Sequence, residues 1–427
     1  MYFFDKNKAF EDRIICIDED RNEYTYRQIW DMGDDLTDGM ESRSLAFLRC
    51  SNDVESLSRY LALLRKRCPV ILIGKQLDDE LADRLHAAYD GADNIHPDLG
   101  LLLSTSGSTG EQKLVRLSYD NLQANCDSIV EYLELTEHER PITTLPMEYT
   151  YGLSVIHSHI AVGASIVLTN KTLFEPDFWD MAKELKVTSI AGVPYTYEML
   201  DRLHIDRMDL PALTTLTQAG GHLKAELQEK IAVWARNTGR RFFVMYGQTE
   251  ATARMSYVPP ERCLDKPGSI GIPVPGGRLE LGSDGELIYY GRNVSMGYAL
   301  CREDLAKGDE NHGRLATGDI AYKDEEGYFY ISGRKKRFIK LFGKRISLDQ
   351  LQDSLQEIFE TPDIVCTGDD DKGVTVWYAG DVTDDRREEI NRVFLEKWGI
   401  RENKVTVIKI DKIPRNTSGK ILYKDLK

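Results

Sequence analysis

The sequence contains no apolar run long enough to cross a bilayer. Its longest apolar segments, such as PVILIG at 69–74, fall far short of the roughly 20 residues a spanning helix needs. Paired cysteines are missing as well. The seven cysteines (Cys16, Cys50, Cys68, Cys126, Cys263, Cys301, Cys366) are odd in number, scattered and never in a C-x-x-C pair. That argues against a disulfide framework or a cysteine-rich zinc site and suits a reducing compartment. Each reads as a small buried apolar residue. A surplus of basic charge is also absent: 55 Lys and Arg against 70 Asp and Glu leave −15. This argues against the broad basic face that nucleic acid or an anionic membrane requires, though not against an anionic ligand in a locally positive pocket. The N-terminal MYFFDKNKAFEDR has no apolar core before a small-residue cleavage site, so we expect no signal peptide and a cytoplasmic location. Neither a Walker G-x-x-x-x-G-K-[ST] nor a kinase catalytic loop occurs, which leaves ordinary phosphoryl transfer remote.

What is present is an α/β chain. At 427 residues it is too long for one ordinary core, so at least two packed units are expected. RIICID (13–18), LAFLRC (45–50) and PVILIG read as strands, separated by helical spacing in VESLSRYLALLRK (54–66). The alternation continues through a helix at NLQANCDSIVEYL, a strand at SIAGVP, a helix at KAELQEKIAVWARNTG and a strand at RFFVMYG. Strand and helix in turn predict parallel sheets with crossover helices. From Gly268 to about Tyr330 the strands become short and glycine-punctuated, as in a small antiparallel or barrel-like part. After GRKKR (333–337) a compact α+β end region follows, with helices at SLDQLQDSLQEIF and DDRREEINRVFLEKW. We therefore expect a large N-terminal domain over 1–334 and a small mobile domain over 337–427, hinged near Lys336. Composition alone marks that boundary weakly, because no Pro/Ser-rich linker lies there.

The sharpest local signal is STSGSTGEQK at 104–113. Glycine there permits positive φ and close backbone approach, and successive N–H groups with hydroxyls can surround a phosphate. By itself the segment has a second reading, that of an exposed flexible loop.

This segment resembles the phosphate loop of the adenylate-forming (AMP-binding) superfamily, which comprises acyl-CoA synthetases, adenylation domains of peptide synthetases and luciferases. The family pattern [ST]-S-G-[ST]-T-G-x-P-K is met except at Gln112, where proline is usual. YGQTE (246–250), the TGD of ATGDIAY (316–322), GYFYISGRKKRFIKLFGKRIS (327–347) and IPRNTSGKIL (413–422) match further blocks in the family's order. QAGG (218–221) and GELIYYGRNVSMGY (285–298) agree more softly. The chain is thereby identified as a shortened member of that superfamily.

The resemblance implies ATP-dependent activation of a carboxylic acid as its acyl-adenylate, with pyrophosphate release, followed by acyl transfer to a thiol. ATP and Mg²⁺ are the implied cofactors, with CoA or the phosphopantetheine of an acyl carrier protein as acceptor. Thr105, Ser106, Gly107, Ser108, Thr109, Gly110 and Lys113 would hold the phosphates. Thr249 would bond the α-phosphate and Glu250 would hold Mg²⁺. Gly220, Gly221, Tyr246 and Gly247 would line the adenine site, Asp319 would accept from the ribose hydroxyls, and Arg334 would support the ribose. Lys420 would bridge the attacking carboxylate and the α-phosphate. Both partners of that attack are anionic, so the barrier is mostly charge and orientation, which suits a mobile lysine. Lys336 matches the pivot and Gly343 the thiol tunnel.

For the acid pocket the resemblance points to Tyr149, Thr150, Gly152, Val193, Gly220 and Ala251. Thr150 stands where amino-acid-activating relatives carry aspartate, which disfavours an amino acid, although Glu148 lies nearby. His222 is expected to be exposed or peripheral. The segment ILYKDLK after Lys420 lacks the basic pair many relatives have, which keeps a carrier protein open as acceptor. The alternative reading is a catalytically degenerate nucleotide- or partner-binding protein on the same fold.

Overall fold

The computed structural model describes residues 1–75, 79–104, 113–341, 344–370, 372–415 and 421–426. These fall into two compact units, the first holding 1–104, 113–279 and 289–315, the second 280–288 and 316–426.

The first unit is built on two sheets. The larger has nine strands, in the order Ile272–Pro273, Ser256–Val258, Arg241–Tyr246, Thr215–Gln218, Ser189–Gly192, Pro141–Ile142, Ile166–Val167, Ile14–Ile17 and Glu23–Thr25. Its six inner strands run parallel. Parallel strands are covered on both faces, which is why TLTQ is buried at all four positions and RFFVMY at its four central ones. The smaller sheet has five strands: Gly297–Ala299, Leu114–Ser118, Leu99–Ser104, Val70–Gly74 and Ala46–Cys50. Here the first two joins are antiparallel and the rest parallel. One apolar cluster draws on strand residues Ile15, Leu48, Val70, Leu101 and Val115 and on helix residues Leu61, Leu122 and Ile156.

Helix starts follow local chemistry. Thr25 and Gln28 form a capping box ahead of Tyr26–Leu36, and Ser118 and Asn121 do the same for Tyr119–Leu133. In the second helix the box sits at the end of the strand that follows the glycine-rich loop, so that strand's exit is fixed.

Of the glycine-punctuated strands expected between Gly268 and Tyr330, four make one sheet, in the order Arg278–Leu281, Glu286–Tyr290, Arg314–Lys323, Phe329–Arg334. Two others, Ile272–Pro273 and Gly297–Ala299, serve as edges of the larger sheets. The second unit continues with the hairpin Phe338–Leu341/Lys344–Ser347. A three-stranded sheet follows (Ile364–Asp369, Gly373–Tyr378, Val405–Lys409), with helices Leu348–Ile358 and Asp384–Trp398 around its own apolar cluster. The expected boundary at Lys336 falls inside this unit, between strand Phe329–Arg334 and the hairpin.

Candidate active site

The glycine-rich loop leaves strand Leu99–Ser104 and returns as strand Leu114–Ser118. Those strands pair antiparallel with Ser104 opposite Leu114, so the two ends of the loop lie side by side. The predicted phosphate-binding residues Thr105, Ser106, Gly107, Ser108, Thr109 and Gly110 lie outside the described residues. Lys113 is described: its Nζ stands 3.7 Å from the centroid of the Tyr298 ring. Tyr298 belongs to the edge strand Gly297–Ala299 and is paired with Val115, two positions beyond Lys113.

The phenol of Tyr298 donates to Oε1 of Glu250 at 2.7 Å. Burial first, and then the Glu250 carboxylate, push the phenol well above its ordinary pKa, so it is an O–H donor across the physiological range. Glu250 lies in a short 3-10 turn, Thr249–Ala251, that follows strand Arg241–Tyr246. The turn is tightly held. Ala251 is fully buried, its carbonyl accepts from Nδ2 of Asn293 at 2.8 Å, and the Glu250 carbonyl accepts from the Ser295 amide at 2.9 Å. Thr252 and Ala253 have φ of 56° and 105°, unusual for residues with a Cβ. Gly247 is what lets the turn close, because a Cβ there would overlap the Ala253 carbonyl oxygen. Tyr246 ends the preceding strand half-buried, and its hydroxyl accepts from Nε2 of Gln248 at 3.2 Å.

On its other side the turn meets the segment predicted to bind the acid. Oγ1 of Thr150 donates to Oγ1 of Thr249 at 3.0 Å. Thr150 opens helix Thr150–Ala161, with Tyr149 at its N-cap. Gly220, at φ 85°, follows the buried strand Thr215–Gln218, and a Cβ there would lie 2.6 Å from the Tyr149 hydroxyl and 3.0 Å from Cγ1 of Val193. Tyr149, Val193 and Gly220 therefore share one site, and Gly221 packs against Pro194 beside it. Burial pushes the Tyr149 phenol up to about 12, so this wall is neutral. Gly152 plays another part: a Cβ there would meet the Pro146 carbonyl at 2.5 Å, so its bare Cα lets the helix close over its own entry loop. Glu148 turns to Gly74, whose missing Cβ leaves room for the carboxyl, and burial raises its pKa. His222 is exposed, as expected.

In the second unit Asp319 and Arg334 are register partners on strands Arg314–Lys323 and Phe329–Arg334. Nε of Arg334 stands 3.3 Å from Oδ1 of Asp319. The carboxylate is nearly buried, while the guanidinium side chain is 66 % exposed. Asp319 is thus held by its neighbour with Arg334 open to solvent. Lys336 is exposed in the turn Lys335–Arg337. Its neighbours are not loose: Lys335 pairs with Asp284 and Glu286, and Arg337 with Asp349 at 2.5 Å and the Cys366 carbonyl at 2.9 Å. Gly343 and Lys420 lie outside the described residues.

No group of three His, Cys, Asp or Glu side chains that could hold a metal by itself occurs among the described residues. Glu250 offers a single carboxylate with one oxygen engaged by Tyr298. That set fits Mg²⁺, which keeps several waters and takes its remaining ligands from phosphate oxygens. Sequence reasoning missed Tyr298, Asn293 and Arg116. The first two lie within the quoted GELIYYGRNVSMGY segment, so the signal was at hand without an assigned role.

A two-unit α/β protein with a glycine-rich loop between paired strands, a Thr-Glu turn and an Asp-Arg pair has the architecture of an adenylate-forming enzyme. The family model described as "AMP-binding enzyme" matches residues 50–299, more than half of the chain. The chain belongs to that family. It is 27% identical over 346 residues to the 2-succinylbenzoate--CoA ligase of Bacillus cytotoxicus, which covers 76% of this chain and 69% of the relative. The oxalate--CoA ligase of Arabidopsis thaliana is 32% identical over 267 residues, 59% of this chain and 51% of the relative. Among solved structures, the O-succinylbenzoate coenzyme A synthetase of Bacillus subtilis in complex with ATP and magnesium ion superposes with a TM-score of 0.80 at 21% identity. That match covers 97% of this chain and 96% of the other. ATP-bound MatB from Rhodopseudomonas palustris gives 0.75 at 21% identity, over 99% and 98%. These structural likenesses bear out the α/β fold with a large N-terminal and a smaller C-terminal domain.

Proposed function

We propose that the protein is an acid–thiol ligase: it joins a carboxylic acid to AMP with loss of pyrophosphate, then passes the acyl group to CoA. The observation that carries this reading is the Thr249–Glu250 turn, hydrogen-bonded to Thr150 on the acid side and to Tyr298 on the phosphate-loop side. In the first half-reaction a carboxylate oxygen bonds to the α-phosphorus and the bond to the bridging oxygen of pyrophosphate breaks. In the second, the thiol sulfur bonds to the acyl carbon, AMP leaves, and the thiol proton goes to solvent.

Each described residue has a part in this scheme. Thr150 donates to Thr249, which leaves the Thr249 proton for an α-phosphate oxygen. Glu250 would hold Mg²⁺, which when bound neutralises phosphate charge. Lys113 supplies positive charge where the glycine-rich loop returns. Asp319 accepts from the ribose hydroxyls and Arg334 supports it. Lys420 and the remaining loop residues take the roles the family resemblance gives them. Lys336 is the pivot between the half-reactions, and Arg337 ties the chain beyond it to the C-terminal sheet.

The neutral wall of Tyr149, Val193 and Gly220 favours an acid without a charged group beside its carboxylate. Thr150 in place of an aspartate, and Glu148 turned to Gly74, support an acid that is not an amino acid. Because one relative carries the name of a 2-succinylbenzoate ligase and another that of an oxalate ligase, aryl acids belong in the first screen, and dicarboxylic acids belong there as the direct test of the neutral wall. Pyrophosphate release with Mg-ATP, measured for fatty, aryl, dicarboxylic and amino acids with and without CoA, tests the function. Release that depends on both acid and CoA supports it. Release independent of thiol with accumulating adenylate would refute the ligase step, and silence with every acid would refute the activity.

A further inference from the structure

We propose that Tyr298 is a positioning residue that couples the two charged ends of the phosphate site, orienting Glu250 toward the metal through its hydroxyl and seating Lys113 through its ring. The inference rests on the reading of Glu250 and Lys113 as metal and phosphate groups.

Three observations on the first unit support it. One oxygen of Glu250 is taken by the Tyr298 hydroxyl at 2.7 Å, which fixes the carboxylate plane and leaves the second oxygen as the one available to a cation. Such a partner behind a metal ligand governs metal affinity by orientation. The opposite charge, Lys113, rests 3.7 Å from the centroid of the same ring, within cation–π range. One side chain thus contacts both an anion and a cation, the carboxylate through its hydroxyl and the ammonium through its ring. Finally, the ring is itself immobilised. Its strand is paired to the strand that follows Lys113. The guanidinium of Arg116, fully buried, also binds the Met296 and Tyr298 carbonyls at 2.9 and 3.1 Å and the Glu310 carboxylate at 2.5 Å. A buried arginine that binds the backbone on both sides of Gly297 makes the edge strand a fixed support rather than a frayed one.

The test separates hydroxyl from ring in the full-length protein. Manganese binding is read from the EPR signal of free Mn²⁺, with an ATP analogue carrying a methylene between the α- and β-phosphorus. Binding of the same nucleotide in EDTA is read by calorimetry. Tyr298→Phe is expected to raise the Mn²⁺ dissociation constant about tenfold, the lower end for loss of a partner behind a ligand, with nucleotide binding in EDTA unchanged. Tyr298→Leu is expected to weaken both. In a Glu250→Gln background Tyr298→Phe should add nothing, which distinguishes orientation of Glu250 from general loosening. Wild-type Mn²⁺ affinity in Tyr298→Phe would overturn the proposal, as would equal loss of metal-free nucleotide binding in Phe and Leu variants. A wild-type protein that binds no Mn²⁺ with the nucleotide would instead refute the underlying assignment of Glu250.

Discussion

Gly247→Ala should disable adenylate formation without unfolding the protein. Gly247 sits between strand Arg241–Tyr246 and the Thr249–Ala251 turn, and the added Cβ would overlap the carbonyl oxygen of Ala253. Clearing that overlap requires a displacement of more than an ångström. The Ala253–Arg254 side resists it: Asn293 Nδ2 donates to the Arg254 carbonyl at 3.0 Å, and the Thr252 hydroxyl donates to the Asn293 carbonyl at 2.6 Å. The strain then falls on the turn beside Gly247, which carries Thr249 and Glu250, the residues assigned to the phosphate and the metal. Misplacement of reacting groups by ~1 Å can cost about 100-fold in rate, and overpacking typically costs about 1–3 kcal/mol of stability. We expect pyrophosphate release to fall about 100-fold, with a cooperative thermal transition retained. Gly239→Ala is the control. Gly239, unlike Gly247, has positive φ, 70°, but nothing lies within 4 Å of a Cβ there, so it should lose some stability and keep its rate. A Gly247→Ala protein that releases pyrophosphate at the wild-type rate would show that this turn is not at the reacting centre.

Lys420→Ala should slow adenylate formation about 100-fold while sparing thiolysis of preformed adenylate, and Gly343→Leu should do the reverse. Single-turnover assays of each half-reaction check both, and equal loss in both halves would refute the division of roles. Gly220→Ala should raise the KM for the acid by pressing on the Tyr149 hydroxyl, 2.6 Å from the new Cβ. Adding Tyr149→Phe should restore part of it, and failure to do so would remove Tyr149 from the pocket wall. Burial depresses His157 to about 3 and His159 to about 4. The unfolded chain takes up these protons first, so the stability they confer is complete above pH 6.5 and is lost as pH falls toward 4 and 3. At pH 5 each site should have lost about 2 kcal/mol relative to neutral pH. Urea unfolding at both pH values, with His157→Gln removing about half the loss, checks this; a flat pH response would refute it.

Much of the architecture was legible in the residue order. PVILIG, SIAGVP and RFFVMYG are apolar runs bounded by helices, and each is a buried parallel strand. The C-terminal helices fell where periodicity placed them. YGQTE and TGD were legible because their residues are contiguous, so the turn that carries Thr249 and Glu250 is written in one segment. Glu148 and Gly152 were not. Both lie near Tyr149 in sequence, but the opening at Gly74 receives the Glu148 carboxyl, and the position of Gly152 is taken up by the close approach of the Leu145–Pro146 backbone. The allocation of the glycine-punctuated strands was also hidden, because short strands of similar composition can join any sheet whose edge is open.

The sequence by itself determined the family, the alternation of strand and helix, and the chemical types gathered for a phosphate ligand, because each is encoded within a few adjacent residues. Tertiary structure alone decided that the edge strand Gly297–Ala299 pairs with Leu114–Ser118, that Tyr298 thereby stands between Lys113 and Glu250, and that Thr150 meets Thr249. Those contacts join positions far apart in the chain. They are set by strand register and by the packing of helix Thr150–Ala161 against the sheets, properties that no local pattern contains.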